Sequence, residues 1–143
     1  MFSSLDISTS ALVAQRTRMN AISSNLANLS TTHNEAGEAS PYQRREVVFQ
    51  TATETTGAHG AHGGVGVEVA AIQIDNAAPR LKWDPGHPDA IQSGPNAGYV
   101  AYPAIDMMTE FTDALAVARA YEANLGAMEI AKDMAQQTLR ILV

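Results

Sequence analysis

The 143-residue sequence predicts an α+β chain in which long N- and C-terminal helices pair in a coiled-coil-like layer, with a small β-rich middle domain. Three observations predict it. Residues 31–103 hold nine of the ten glycines and all six prolines, so the helix breakers are confined to the middle. Both flanks repeat their apolar residues at heptad spacing. Alanine contributes 25 residues against one Trp, three Phe and four Tyr, a composition that favours helix and buries little area per residue. The expected division is 1–32 helix, 33–103 β-rich, 104–143 helix.

In the first segment Leu5, Leu12, Met19 and Leu26 recur every seven residues, and Ile22 and Leu29 continue the stripe. Ser8, Thr9 and Ser10 offer N-caps, and the polar run 30–34 offers an end. In the middle, 42–50 ends in a β-branched and aromatic run. Residues 65–74 place Val65, Val67 and Val69 on one face and Ile72 and Ile74 on the other, which suggests a bulge near Ala70 and Ala71. Arg80-Leu81-Lys82-Trp83 and Tyr99-Val100-Ala101-Tyr102 read as two further strands, and 51–64 and 84–98 as loops.

The last segment is the most regular. Steps of four and three from Met107 reach Phe111, Ala114, Ala118, Tyr121, Leu125, Met128, Lys132, Ala135, Leu139 and Leu142, and ten of these eleven positions are apolar. Asp106 suits the N-cap, with Glu110 and Asp113 in the first turns where the helix dipole favours anions. Such a helix of about 36 residues spans roughly 54 Å. A globule of this chain length is only roughly 37 Å across, so the helix needs a partner.

Charge and composition exclude several classes. Nine basic residues against 15 acidic give a net charge of −6, which argues against nucleic acid. There is no stretch of eighteen apolar residues for direct membrane insertion, no sign of a cleavable signal peptide, and no cysteine for disulfides or thiolate chemistry. His59 and His62 have a spacing that a metal bridges, with Asp84, His87 and Asp89 as further conceivable ligands. Their glycine-rich surroundings leave nothing to orient the imidazoles. No phosphate-binding loop or nucleophile elbow occurs. The expectation is therefore no enzyme, no small-molecule substrate, no cofactor and no metal.

Ser24-Asn25-Leu26-Ala27-Asn28, extended by 5–12 and 15–20, resembles the N-terminal signature of the bacterial flagellar axial proteins, which build rod, hook and hook–filament junction. Residues 41–49, Asp84-Pro85-Gly86-His87-Pro88-Asp89-Ala90, 98–103 and Ala118-Arg119-Ala120-Tyr121-Glu122-Ala123-Asn124 are similar to the markers of its proximal rod members. Leu29, residues 91–97 and the loop 57–64 depart from that pattern. The resemblance implies a structural rod subunit in the periplasmic part of the basal body. Such a subunit assembles with copies of itself and other rod proteins into a torque-transmitting helical tube, after export by the flagellar type III apparatus without a cleaved signal. The expected interface residues are Leu12, Met19, Ile22, Asn25, Leu26 and Asn28 on the first helix, and Phe111, Tyr121, Asn124, Leu125, Met128 and Leu139 on the last. Asn25, Asn28 and Asn124 either hydrogen-bond across subunits or serve as helix-end and surface amides. The rival readings are a sister rod protein and a cytoplasmic coiled-coil adaptor, the second of which leaves the 84–90 motif unexplained.

Overall fold

The computed structural model describes residues 2–34, 37–52 and 65–141. His59, His62 and Leu142 lie outside them. Among the described residues the order is α1 (Phe2–Ala27), β1 (Arg45–Thr51), β2 (Val67–Ile74), β3 (Arg80–Trp83), β4 (Tyr99–Tyr102) and α2 (Met107–Ile141). The chain is α+β. It forms two compact units, one drawn from Met1–Asn20, Val47–Ile72 and Ala114–Val143, the other from Ala21–Glu46 and Gln73–Asp113.

The helix α1 begins well before the expected caps. Ser8, Thr9 and Ser10 lie inside it, and two of their hydroxyls bond back into the helix: Thr9 Oγ1 donates to the Leu5 carbonyl at 2.8 Å and Ser10 Oγ to that of Ile7 at 2.7 Å. Back-bonding of this kind lets hydroxyl residues sit mid-helix, which is why a cap signal placed there misleads. The other end, at Ala27, comes before the polar run 30–34. The Ser24 carbonyl accepts both the Asn28 N–H at 3.1 Å and Asn28 Nδ2 at 2.8 Å, and Thr31 Oγ1 donates to Asn28 Oδ1 at 3.0 Å, so Asn28 fixes the turn that follows the helix.

In the first unit β1 and β2 pair, and Ser10 docks β2 onto α1 by accepting the Val67 N–H at 3.1 Å. The chain enters β2 at Gly66, where a Cβ would meet Ser10 Oγ at 2.7 Å, so the approach needs glycine. β2 runs on through Ala70 and Ala71, with Val67 and Val69 partly covered and every position from Ala70 exposed. Ala14, Val47 and Val117 are its buried apolar residues among those described.

In the second unit β3 and β4 form an antiparallel pair in the register Arg80↔Tyr102, Leu81↔Ala101, Lys82↔Val100 and Trp83↔Tyr99. Both strands match their sequence-predicted bounds. Val100 and Ile105 are 0% and 1% exposed and form the core with Ile22, Ala21, Ala90 and Pro103. Asp106 caps α2 as expected: its Oδ1 accepts the Met108 N–H at 3.1 Å, and Thr109 Oγ1 donates to Oδ2 at 3.1 Å. The 35 residues of α2 extend roughly 52 Å at 1.5 Å per residue.

Candidate functional site

The centre of the second unit is polar. Asn25, near the C-terminal end of α1, is fully buried, and its amide uses its whole hydrogen-bonding capacity inside the chain. Its Oδ1 accepts the Arg45 N–H at 2.9 Å and the Tyr42 hydroxyl at 3.1 Å. Its Nδ2 donates to the Arg45 carbonyl at 2.9 Å and to Glu110 Oε2 at 3.1 Å. The amide thus pairs with both backbone groups of the first residue of β1, as a neighbouring strand would. No donor or acceptor of Asn25 is left for a second subunit.

Glu110, in the first turns of α2, is also fully buried. Its Oε1 accepts from Arg44 Nε at 2.7 Å, and Arg44 reaches Asp113 at 3.6 Å and Glu46 at 3.7 Å. Burial alone would lower the Arg44 pKa. The hydrogen bond to Glu110 and the charges of Glu110, Glu46 and Asp113 outweigh it and hold the guanidinium above its ordinary value. Tyr42 closes the cluster, with its hydroxyl 3.1 Å from Ser24 Oγ and its ring 5.6 Å beneath the Arg45 guanidinium. The cluster ties the end of α1, the start of β1 and the start of α2 together. Tyr42 and Arg44 also line a pocket of about 190 Å³ with Ser40, Pro41, Pro79 and Pro103.

The 84–90 turn has a similar structural task. Asp89 accepts from Thr32 Oγ1 at 2.7 Å and pairs with His33 Nε2 at 2.8 Å, while its own N–H donates to His87 Nδ1 at 3.1 Å. Asp89 thereby holds this turn against the segment after α1, and His87 Nδ1 is engaged within the turn. Among the described residues no group of three metal-ligating side chains converges, and no helix is long and apolar enough to cross a membrane.

Of the residues expected at an interface, Ile22 and Asn25 are buried, and Leu12, Met19, Leu26 and Asn28 are half-buried on α1. Phe111, Tyr121, Leu125 and Leu139 are exposed, whereas Met128 and Asn124 are half-buried, the latter donating to the Ala120 carbonyl at 2.8 Å. The covered side of α2 passes through Glu110, Ala114, Val117, Ala120, Asn124, Met128, Ala131 and Ala135. It is offset by about one residue from most of the predicted seam and is built mainly of small side chains. Leu115, Ile130 and Met134 join Tyr121, Leu125 and Leu139 among the exposed large apolar residues. The chain's own fold therefore half-covers Ala114, Ala118, Ala120, Ala131 and Ala135 and leaves much of the larger apolar surface open.

The family described as flagella basal body rod protein matches residues 5–33, and the C-terminal family of the flagellar basal body rod FlgEFG proteins matches residues 96–141. The chain is 40% identical to the flagellar basal-body rod protein FlgC of Bacillus subtilis, over 98% of this chain and 97% of that protein. It is 37% identical to FlgC of Borreliella burgdorferi over 99% and 97%, and 35% identical to FlgC of Salmonella typhimurium over 95% and 93%. The chain belongs to the FlgC family of flagellar basal-body rod proteins. The buried cluster links stretches that carry the resemblance, since Asn25 lies in the first matched region, Tyr42, Arg44 and Arg45 in the 41–49 marker and Glu110 in the second matched region.

Sequence reading missed the partnership of Arg44 and Glu110. Glu110 reads locally as a helix-start acid, and its burial is the sole sign of a second task. A pairing across 66 positions leaves no periodic trace in one sequence.

Proposed function

We propose that this rod subunit assembles through the exposed apolar side of α2, with the larger side chains from Leu115 to Leu139 seated against helices of neighbouring copies and other rod subunits. The observation that carries the reading is the separation of the two sides of α2. A helix that needed covering by its own chain alone would turn its Leu, Ile and Met inward, and here Leu115, Leu125, Ile130, Met134 and Leu139 are all exposed. Pairing of α1 with α2 in an inner layer, a tube generated by a heterologous contact that does not close into a ring, and torque transmission through that tube belong to the same reading. So do the absence of a catalytic step and export by the flagellar type III apparatus without a cleaved signal, which rest on the family resemblance.

Leu125→Asp tests it. Leu125 is 43% exposed, so the substitution leaves the isolated fold standing, while in the assembly it buries a carboxylate with no partner, at about 3–5 kcal/mol. The expected result is a secreted, folded and non-motile variant, with Glu122→Gln and Glu129→Gln motile. A motile strain carrying Leu125→Asp overturns the assignment of this face.

A further inference from the structure

The β3–β4 hairpin has an unusual distribution of side chains. Lys82 lies opposite Val100, which is fully buried, so the face carrying Arg80, Lys82, Val100 and Tyr102 is the one turned toward the core. The opposite face carries Leu81, Trp83, Tyr99 and Ala101. A two-stranded sheet with one solvated face ordinarily places its polar residues there. This one presents Leu81 at 44% and Trp83 at 60% exposure. The indole is also held in place: it stands edge-on to Tyr99 with ring centroids 5.1 Å apart, and it lies so close over Gly98 that a Cβ there would meet the ring at 2.5 Å. A fixed, exposed Trp is the kind of anchor that dominates protein–protein contacts.

Among the described residues nothing is hydrogen-bonded to the outer edge of β3. The Asp84 N–H donates to the Gly98 carbonyl, which makes Lys82 and Arg80 the residues whose backbone groups point at β4. The N–H and C=O of Leu81 and Trp83 point the other way, and β4 is the sole strand beside β3 among the described residues. Edge strands are commonly blunted by charge, a bulge or a covering loop, and β3 carries two charges of one sign, Arg80 and Lys82. Here Arg80 and Lys82 have no carboxylate within ion-pair distance among the described residues, and Lys82 instead stands 5.9 Å over the Tyr102 ring.

We infer that β3 is a docking edge for an extended protein segment with alternating apolar and acidic side chains, which adds as a third strand. The alternation follows from the pleat. Residues of the incoming strand on the Leu81–Trp83 face meet apolar side chains, and those on the other face meet two cations, Arg80 and Lys82. This inference stands apart from the α2 interface, and neither depends on the other.

The test uses the full chain and a synthetic peptide, acetyl-Thr-Val-Glu-Val-Asp-Val-Thr-amide, at millimolar concentration, with amide exchange followed residue by residue. The amides of Leu81 and Trp83 slow by about tenfold or more, while that of Lys82, already bonded to β4, changes little. A control peptide with lysine at both acidic positions gives no protection, and an Arg80→Glu/Lys82→Glu variant exchanges the preference between the two peptides. Unchanged exchange at Leu81 and Trp83, equal protection by both peptides, or a Trp83 fluorescence response without amide protection each overturns strand addition.

Discussion

Asn25 shows how much one buried amide can be asked to hold. Removing it with Asn25→Ala strands the Arg45 N–H and C=O and one oxygen of Glu110 at a site closed to water, and leaves the Tyr42 hydroxyl with Ser24 alone. The expected loss is about 2–4 kcal/mol, read from the denaturation midpoint of the full chain. Asn25→Asp keeps the acceptor and removes both donors, placing a carboxylate beside Glu110, and is at least as destabilising at neutral pH. A variant as stable as the parent shows that the amide is dispensable. Arg44 and Glu110 differ in kind, because each is costly chiefly when the other is missing. Arg44→Met or Glu110→Leu alone leaves a charge without its main partner and is expected to lose about 3 kcal/mol, whereas the double variant is more stable than the Glu110→Leu single one. The sign of any pH dependence from Arg44 follows from its raised pKa. Its stabilising contribution is fully present below the unfolded-state value and is lost only as pH rises through the still higher folded one, so it is constant across physiological pH. A strong pH dependence near neutrality that vanishes in Arg44→Met contradicts this.

The elements differ in how plainly they can be read. The strands β3 and β4 were legible because breakers bound them on both sides, and the start of α2 because Asp106 follows Pro103 at the head of a long apolar periodicity. The start of α1 was not, since Ser8, Thr9 and Ser10 look like caps until their hydroxyls are seen bonding the preceding turn. The heptad seam of α2 was legible as a spacing, but a spacing does not say which part of a helix its own chain covers. Of the larger seam residues the fold leaves Phe111, Tyr121, Leu125 and Leu139 exposed and half-covers Met128. The hairpin depends on Gly98 twice, through a φ of +82° and through the Trp83 ring against its Cα. Gly98→Ala is therefore expected to cost about 3 kcal/mol, the sum of a left-handed backbone penalty and an overpacked ring, and to shift the Trp83 emission. In a Trp83→Ala background the same substitution retains only the backbone part, about 1–2 kcal/mol. Equal penalties in the two backgrounds exclude the ring contact.

At the scale of the whole chain the question is what keeps α2 helical along its length. Its covered side beyond Asp113 offers Ala114, Val117, Ala120, Asn124, Met128, Ala131 and Ala135, while Leu115, Ile130, Met134 and Leu139 face solvent. Alanine removes little area from water, and ordering the backbone opposes folding by about 1–2 kcal/mol per residue. Side chains that would supply the balance are those the single chain leaves exposed. Helix from Ala114 onward is thus expected to gain stability from concentration. Its amides exchange quickly in dilute monomer and become protected as copies associate, while Val100 and Ile105 in the core of the second unit stay protected throughout. Leu125→Asp separates this coupling from intrinsic helix propensity, since it removes the concentration-dependent protection without altering exchange in the dilute monomer. Full protection of these amides in a verified monomer shows that α2 is held by its own chain, and the link between its folding and assembly then fails.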